Sequence, residues 1–175
     1  FERMGVVDYG DCLLDYRLPE TAHEAIRAEA SALVAKTGFL LTLGGDHSIT
    51  FPVFQAMQPR RPLGMVHIDA HTDTWDDFLG SKFSHGSPFR RAVEAGLLDP
   101  KRTIQIGIRG AQNSDQGWRY SLDSGMRVVF IEEFEARGVE AIVQEARRIV
   151  GDGPTYLSLD VDGLDPVFAL SLIHI

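Results

Sequence analysis

The sequence predicts an α/β fold: a three-layer sandwich in which a mostly parallel sheet is flanked by helices. Short apolar runs alternate along the chain with longer stretches at helical spacing. Runs such as FLLTL at 39–43 and GMVHI at 64–68 are hydrophobic at nearly every position, as strands are when helices cover both faces. Three polar clusters follow such runs, and open α/β sheets bind ligands beyond the carboxyl ends of their strands.

Strands are expected over Arg3–Asp8, Phe39–Leu43, Leu63–Asp69, Thr103–Ile108, Arg127–Phe130 and Thr155–Asp160. The first helix is expected over Glu20–Lys36, where Ala22, Ile26, Ala30, Leu33 and Val34 recur at helical spacing and Gly38 supplies a stop. Ser48–Met57, Pro88–Ala95 and Val139–Val150 read as further helices. Pro88 suits a first helical turn and Gly96 an end. No repeat, low-complexity tract or linker divides the chain, and 175 residues suffice for one domain with its own core. The chain begins at Phe1 and stops soon after an acidic loop, so it reads as an internal piece of a longer protein.

Composition narrows the function. A net charge of −8 argues against nucleic acid, which needs a basic face. No apolar run approaches the roughly 20 residues of a membrane span, and no signal peptide is seen. The single cysteine, Cys12, cannot close an internal disulfide. These features together predict a cytoplasmic protein with a small-molecule partner.

The chemistry lies in GGDHS (Gly44–Ser48), DAHTD (Asp69–Asp73) and SLDVDGLDP (Ser158–Pro166). Asp69, His71 and Asp73 are spaced by two, so in an extended segment they share a face. Asp160 and Asp162 repeat the device, and His47 adds an imidazole from a Gly-Gly turn. Four carboxylates packed together repel one another and take up protons unless cations balance them. Two divalent cations would balance them. A donor set of carboxylates with two imidazoles suits Mn²⁺ better than Zn²⁺. Two ions held roughly 3.5–4 Å apart would acidify a water between them. Each motif alone has a structural reading: a polar loop for DAHTD, a helix cap for GGDHS, an acidic turn for DVDGLDP. Their joint occurrence at strand ends favours a metal site.

In this order the three motifs resemble the ureohydrolase family, the arginases and agmatinases, over roughly Arg3 to Ala169. The resemblance implies an arginase-like fold and two Mn²⁺ per subunit. It implies hydrolysis of a guanidino group to urea and an amine, with a metal-bridging hydroxide attacking the guanidino carbon. One ion would take His47, Asp69, Asp73 and Asp160, and the other His71, Asp69, Asp160 and Asp162. Asp73 would orient the nucleophile and carry its proton. His85, in SHGSPF, matches the family's proton-shuttling histidine. The substrate would be a small cationic guanidino compound, and the full-length protein a trimer or hexamer.

Thr74-Trp75-Asp76-Asp77 lacks the Asn that arginases carry after DAHTD, and HGSPFRRAVEAGLLDP and QIGIRG also resemble the agmatinase and guanidinobutyrase branch. Asp76 and Asp77 would favour the amine of agmatine, Arg90 or Arg91 the carboxylate of guanidinobutyrate. His67 reads as a core histidine or a partner behind the ligands, His23 as exposed, and Asp46 and Asp165 as turn formers or partners of the ligands. After DPVFA the family's Pro-Gly-Thr-Gly-rich loop is replaced by LSLIHI. Residues 1–169 are therefore expected to form an incomplete, C-terminally truncated domain and 170–175 a non-native tail, with the last strands of the sheet and the family's guanidinium-anchoring Glu in the missing part. The rival readings are a zinc amidohydrolase of the deacetylase type and an inactive metal-binding fragment.

Overall fold

The computed structural model describes residues 5–15, 17–58, 60–110 and 116–169. Four strands, β1 (Leu63–Ile68), β2 (Leu98–Ile108), β3 (Arg127–Phe130) and β4 (Thr155–Leu159), form a parallel sheet in the order β3-β2-β1-β4. Parallel neighbours need crossovers. α3 (Pro88–Glu94) lies between β1 and β2, α4 (Gln116–Ser124) between β2 and β3, and α5 (Ile131–Val150) between β3 and β4. From β1 the chain steps outward to β3, then returns to place β4 on the other side of β1. This reversal opens a crevice between the carboxyl ends of β1 and β4, where sheets of this kind bind ligands.

Helices cover both faces. On one, α2 (Thr50–Met57) and α3 bury Phe51, Phe54, Phe89 and Ala92 against Leu63, Met65, Leu98 and Met126. On the other, Ile142 and Ala146 of α5 pack on Ile104, Ile106 and Val129. α1 (Ala22–Val34) is fixed to α2 through Ala30, Val53 and Ala56. α5 carries Glu132 and Glu133 in its first turn and Arg147 and Arg148 in its last, matching its macrodipole. Gly138, at φ 76°, interrupts it in a conformation that glycine adopts without strain. The expected helix Val139–Val150 is the part after this break. Among the described residues no helix is long and apolar enough to cross a membrane.

Two expected strands are corrected. Gly5–Asp8 is not a strand, and Arg3 and Met4 lie outside the described residues. Phe39–Leu43 is not a strand either, and its Phe39 and Leu43 are 83% and 87% exposed. An apolar run becomes a strand only when a neighbour accepts its backbone hydrogen bonds, and the described pairings leave it without one. α4 was not anticipated; it buries Gly117 and Ser121 and packs Tyr120 against the core. The segment 170–175 lies outside the described residues.

Candidate metal centre

β1 ends at Ile68, and the ends of three strands are tied there. Asp69 N donates to Ile106 O at 3.1 Å and Asp160 N to Ile68 O at 2.9 Å. Beyond this point the extended alternation expected for Asp69, His71 and Asp73 does not continue. The backbone bends at 69–71 and Asp73 takes a left-handed φ of 51°. The three side chains still converge, through the bend rather than through strand geometry. Asp160 caps the 3₁₀ turn Val161–Gly163, its Oδ1 accepting from Asp162 N at 3.0 Å. Gly163 lets this turn close on Asp69, since a Cβ there would lie 3.1 Å from Asp69 N. Arg109 ties the same turn to the end of β2, donating to Asp162 O and Leu164 O at 2.7 Å each and to Gly107 O at 3.1 Å. His47 stands on the 3₁₀ turn His47–Ile49, capped by Asp46 Oδ1 accepting from Ser48 N at 2.8 Å. Because 39–43 is not a strand, GGDHS reaches the crevice from an irregular segment, and two strand ends rather than three supply the site.

The six predicted residues meet at Asp69, which is 1% exposed. Asp69 Oδ2 lies 3.3 Å from His47 Nδ1, and that nitrogen is also 2.8 Å from Asp73 Oδ2 and 3.5 Å from Asp160 Oδ2. Asp69 Oδ1 lies 3.5 Å from His71 Nδ1, which is 3.1 Å from Asp162 Oδ2. One carboxylate thus turns an oxygen to each of two donor groups. Asp160 reaches the His47 group through Oδ2 and keeps Oδ1 on its own turn.

Electrostatics favour a cation here. His47 Nδ1 is buried and surrounded by three carboxylate oxygens, yet none meets it in hydrogen-bonding direction. A lone pair and oxygens converging on one volume fit a cation better than they fit one another. Burial alone would depress the His47 imidazole, but Asp69 and Asp73 overcome it and push it up to about 10. Asp162 and then Asp69 push His71 up to about 10. Burial works to raise Asp69, but His47, His67 and His71 hold it far below the usual carboxylate range. Burial raises Asp73 against the pull of His47. Without a cation the cluster balances itself by holding protons. The other ring nitrogen of His47, Nε2, is 2.8 Å from Ser158 Oγ, which orients the ring with Nδ1 toward the carboxylates. Ser158→Ala is expected to weaken cation binding about 10–100-fold by titration calorimetry, and a change within about twofold would contradict this role.

The other predicted residues divide. His67 is fully buried, with Nε2 2.7 Å from Asp69 Oδ2. His85 sits on an exposed loop, its ring centroid 5.1 Å from that of Phe78 and 6.4 Å from that of Trp75. His23 is half-buried rather than exposed, against Phe83. Asp46 and Asp165 are turn formers; Asp165 Oδ1 accepts from Val167 N at 2.8 Å. Asp76 engages Arg91 at 2.9 Å and Arg90 at 3.4 Å, and both arginines also bond Glu94, so these charges neutralise one another. Sequence reasoning missed Ser158, Gln105 and Arg109. The first was legible, two residues before Asp160 in a strand and so on its face. A cavity of about 460 Å³ lies at the opposite end of the sheet, where Arg102 is spent on the carbonyls of Val150 and Pro154; it holds none of these residues.

A doubly flanked parallel sheet with a carboxylate–imidazole cluster at its switch point defines an α/β protein whose clustered residues could hold a cation. A model of the Arginase family matches residues 1–171, and the chain belongs to that family. It is 57% identical over 130 residues to guanidinopropionase of Pseudomonas aeruginosa, covering 74% of this chain and 41% of that protein. It is 47% identical over 171 residues to the mitochondrial agmatinase of Gallus gallus, covering 97% and 50%. Among solved structures, a hypothetical agmatinase from Burkholderia thailandensis superposes with a TM-score of 0.85 at 38% identity, covering 97% and 52%. The chain spans about half the length of the curated relatives it matches.

Proposed function

We propose that the chain is the metal-holding part of a binuclear manganese ureohydrolase that cleaves a guanidino group to urea and an amine. The observation that carries the reading is Asp69, with one oxygen toward the His47 group and the other toward the His71 group. In this reading His47, Asp69, Asp73 and Asp160 hold one Mn²⁺, and His71, Asp69, Asp160 and Asp162 the other. When bound, the ions supply a water acidified toward neutral pH and offset the carboxylate charge.

The chain's own residues do the rest. A guanidinium is cationic and delocalised, hence a poor electrophile that needs a strong nucleophile and acidic surroundings. Asp73, buried beside His47, orients that nucleophile and takes its proton. His85, on its exposed loop, moves protons between the site and solvent. Agmatine and guanidinobutyrate are the substrates of choice, in keeping with relatives named for guanidino amines and guanidino acids. The whole protein is read as a cytoplasmic trimer or hexamer with no nucleic-acid partner. Residues 1–169 are read as one incomplete domain: the described outer edge of β4 has no partner strand, Leu157 and Leu159 on it are exposed, and the relatives are about twice as long.

Urea release with Mn²⁺, from agmatine, guanidinobutyrate and arginine, tests the reading on this chain and on a version extended to the relatives' length. Mn²⁺-dependent urea from agmatine or guanidinobutyrate is expected, at least from the longer version. No urea from either version while two Mn²⁺ are bound would overturn it.

A further inference from the structure

β1, β2 and β4 are in register so that Gln105, His67 and Ser158 stand side by side across the sheet. All three are buried, and the row lies immediately beneath Asp69. Gln105 Nε2 is 2.6 Å from Thr72 O and 3.1 Å from His67 Nδ1. A backbone carbonyl only accepts, so the amide nitrogen must face Thr72; the reversed amide would set oxygen against oxygen. One N–H is then spent on Thr72 O and the other on His67 Nδ1. A ring nitrogen that accepts carries no proton, so a neutral His67 holds its proton on Nε2, 2.7 Å from Asp69 Oδ2. The cost is visible: Gln105 Oε1 is buried with no hydrogen-bond partner.

We propose that Gln105 is a positioning residue that locks His67 as the Nε2–H donor to Asp69 and so keeps His67 from becoming a metal ligand. His47, His67 and Asp69 offer atoms close enough to share one ion. The tautomer of His67 decides whether it joins them or serves behind them. With its proton committed to Asp69 Oδ2, His67 steers that carboxylate and leaves ligation to His47. The same row orients His47 through Ser158, so its two ends aim an imidazole and a carboxylate at one volume. The inference rests on Asp69 being a shared ligand, but the tautomer is measurable with no metal present.

The test is long-range ¹H–¹⁵N NMR of histidine-labelled, metal-free full chain, followed by Mn²⁺ titration calorimetry. His67 is expected to show a bare Nδ1 and a protonated Nε2 at neutral pH. Gln105→Glu, which can accept but not donate at that position, is expected to move a proton onto Nδ1. Gln105→Met is expected to release the lock and weaken Mn²⁺ binding about 10–100-fold. A wild-type His67 with a proton on Nδ1 or a bare Nε2 would overturn the proposal, and so would a folded Gln105→Met chain with unchanged tautomer and affinity. Should both variants fail to fold, the wild-type spectrum decides alone. Absence of urea release would count against the ureohydrolase reading and leave this spectrum as it is.

Discussion

Asp69→Asn is expected to remove cation binding from both donor groups and to lower urea release by more than about 100-fold, beyond the 10–100-fold that partners behind a metal site contribute. The effect is large because Asp69 faces both groups, through Oδ2 toward His47 and Oδ1 toward His71. The amide keeps the side chain's shape but replaces one of two anionic oxygens with a donor that repels a cation. Asp162→Asn should behave differently, since Asp162 stands beside His71 only. One ion should then be lost and one kept. Metal analysis after dialysis, paired with urea release and circular dichroism to confirm folding, separates the two variants. A folded Asp69→Asn chain that retains both ions would show that the carboxylate is not shared.

Chelation of the ions is expected to lower Tm by roughly 5–10 °C. Ions held at about 100 times their Kd stabilise the folded state by about 2.7 kcal/mol. For a chain of this size each kcal/mol is worth about 2–4 °C. The physical source is the cluster itself, in which four carboxylates crowd two imidazoles that are pushed up to about 10 in the absence of cations. Restoring Mn²⁺ should return Tm in a concentration-dependent way. A Tm unmoved by chelator and by added Mn²⁺ would show that these residues do not bind cations.

The fold class and the clustering of the candidate ligands were both legible in the sequence. Ligand-type residues leave a mark because their chemistry allows few substitutes: His47, Asp69, His71, Asp73, Asp160 and Asp162 stand out in three short motifs and meet in space. The four described strands were legible as apolar runs, the mark of a sheet flanked by helices, although Leu157 and Leu159 of β4 are exposed. The same rule misread Phe39–Leu43, because an apolar run shows a wish for burial but not whether a neighbouring strand is there to supply it. α4 was hidden for the opposite reason. Its Tyr120 packs on the core, but the most buried positions of the helix make polar contacts, Thr72 Oγ1 donating to Gly117 O at 2.6 Å and Thr74 Oγ1 lying 3.0 Å from Ser121 Oγ, so the apolar spacing that marks a helix is weak in its sequence. Gln105 was hidden as well, since only the register of β1 on β2 brings it to His67.

Counting the ions decides whether Asp69 is shared by two of them. After equilibration with Mn²⁺ and removal of free metal, two Mn²⁺ per chain are expected, magnetically coupled in the electron paramagnetic resonance spectrum as neighbours sharing Asp69 must be. A single uncoupled Mn²⁺ per chain, or none, would contradict it.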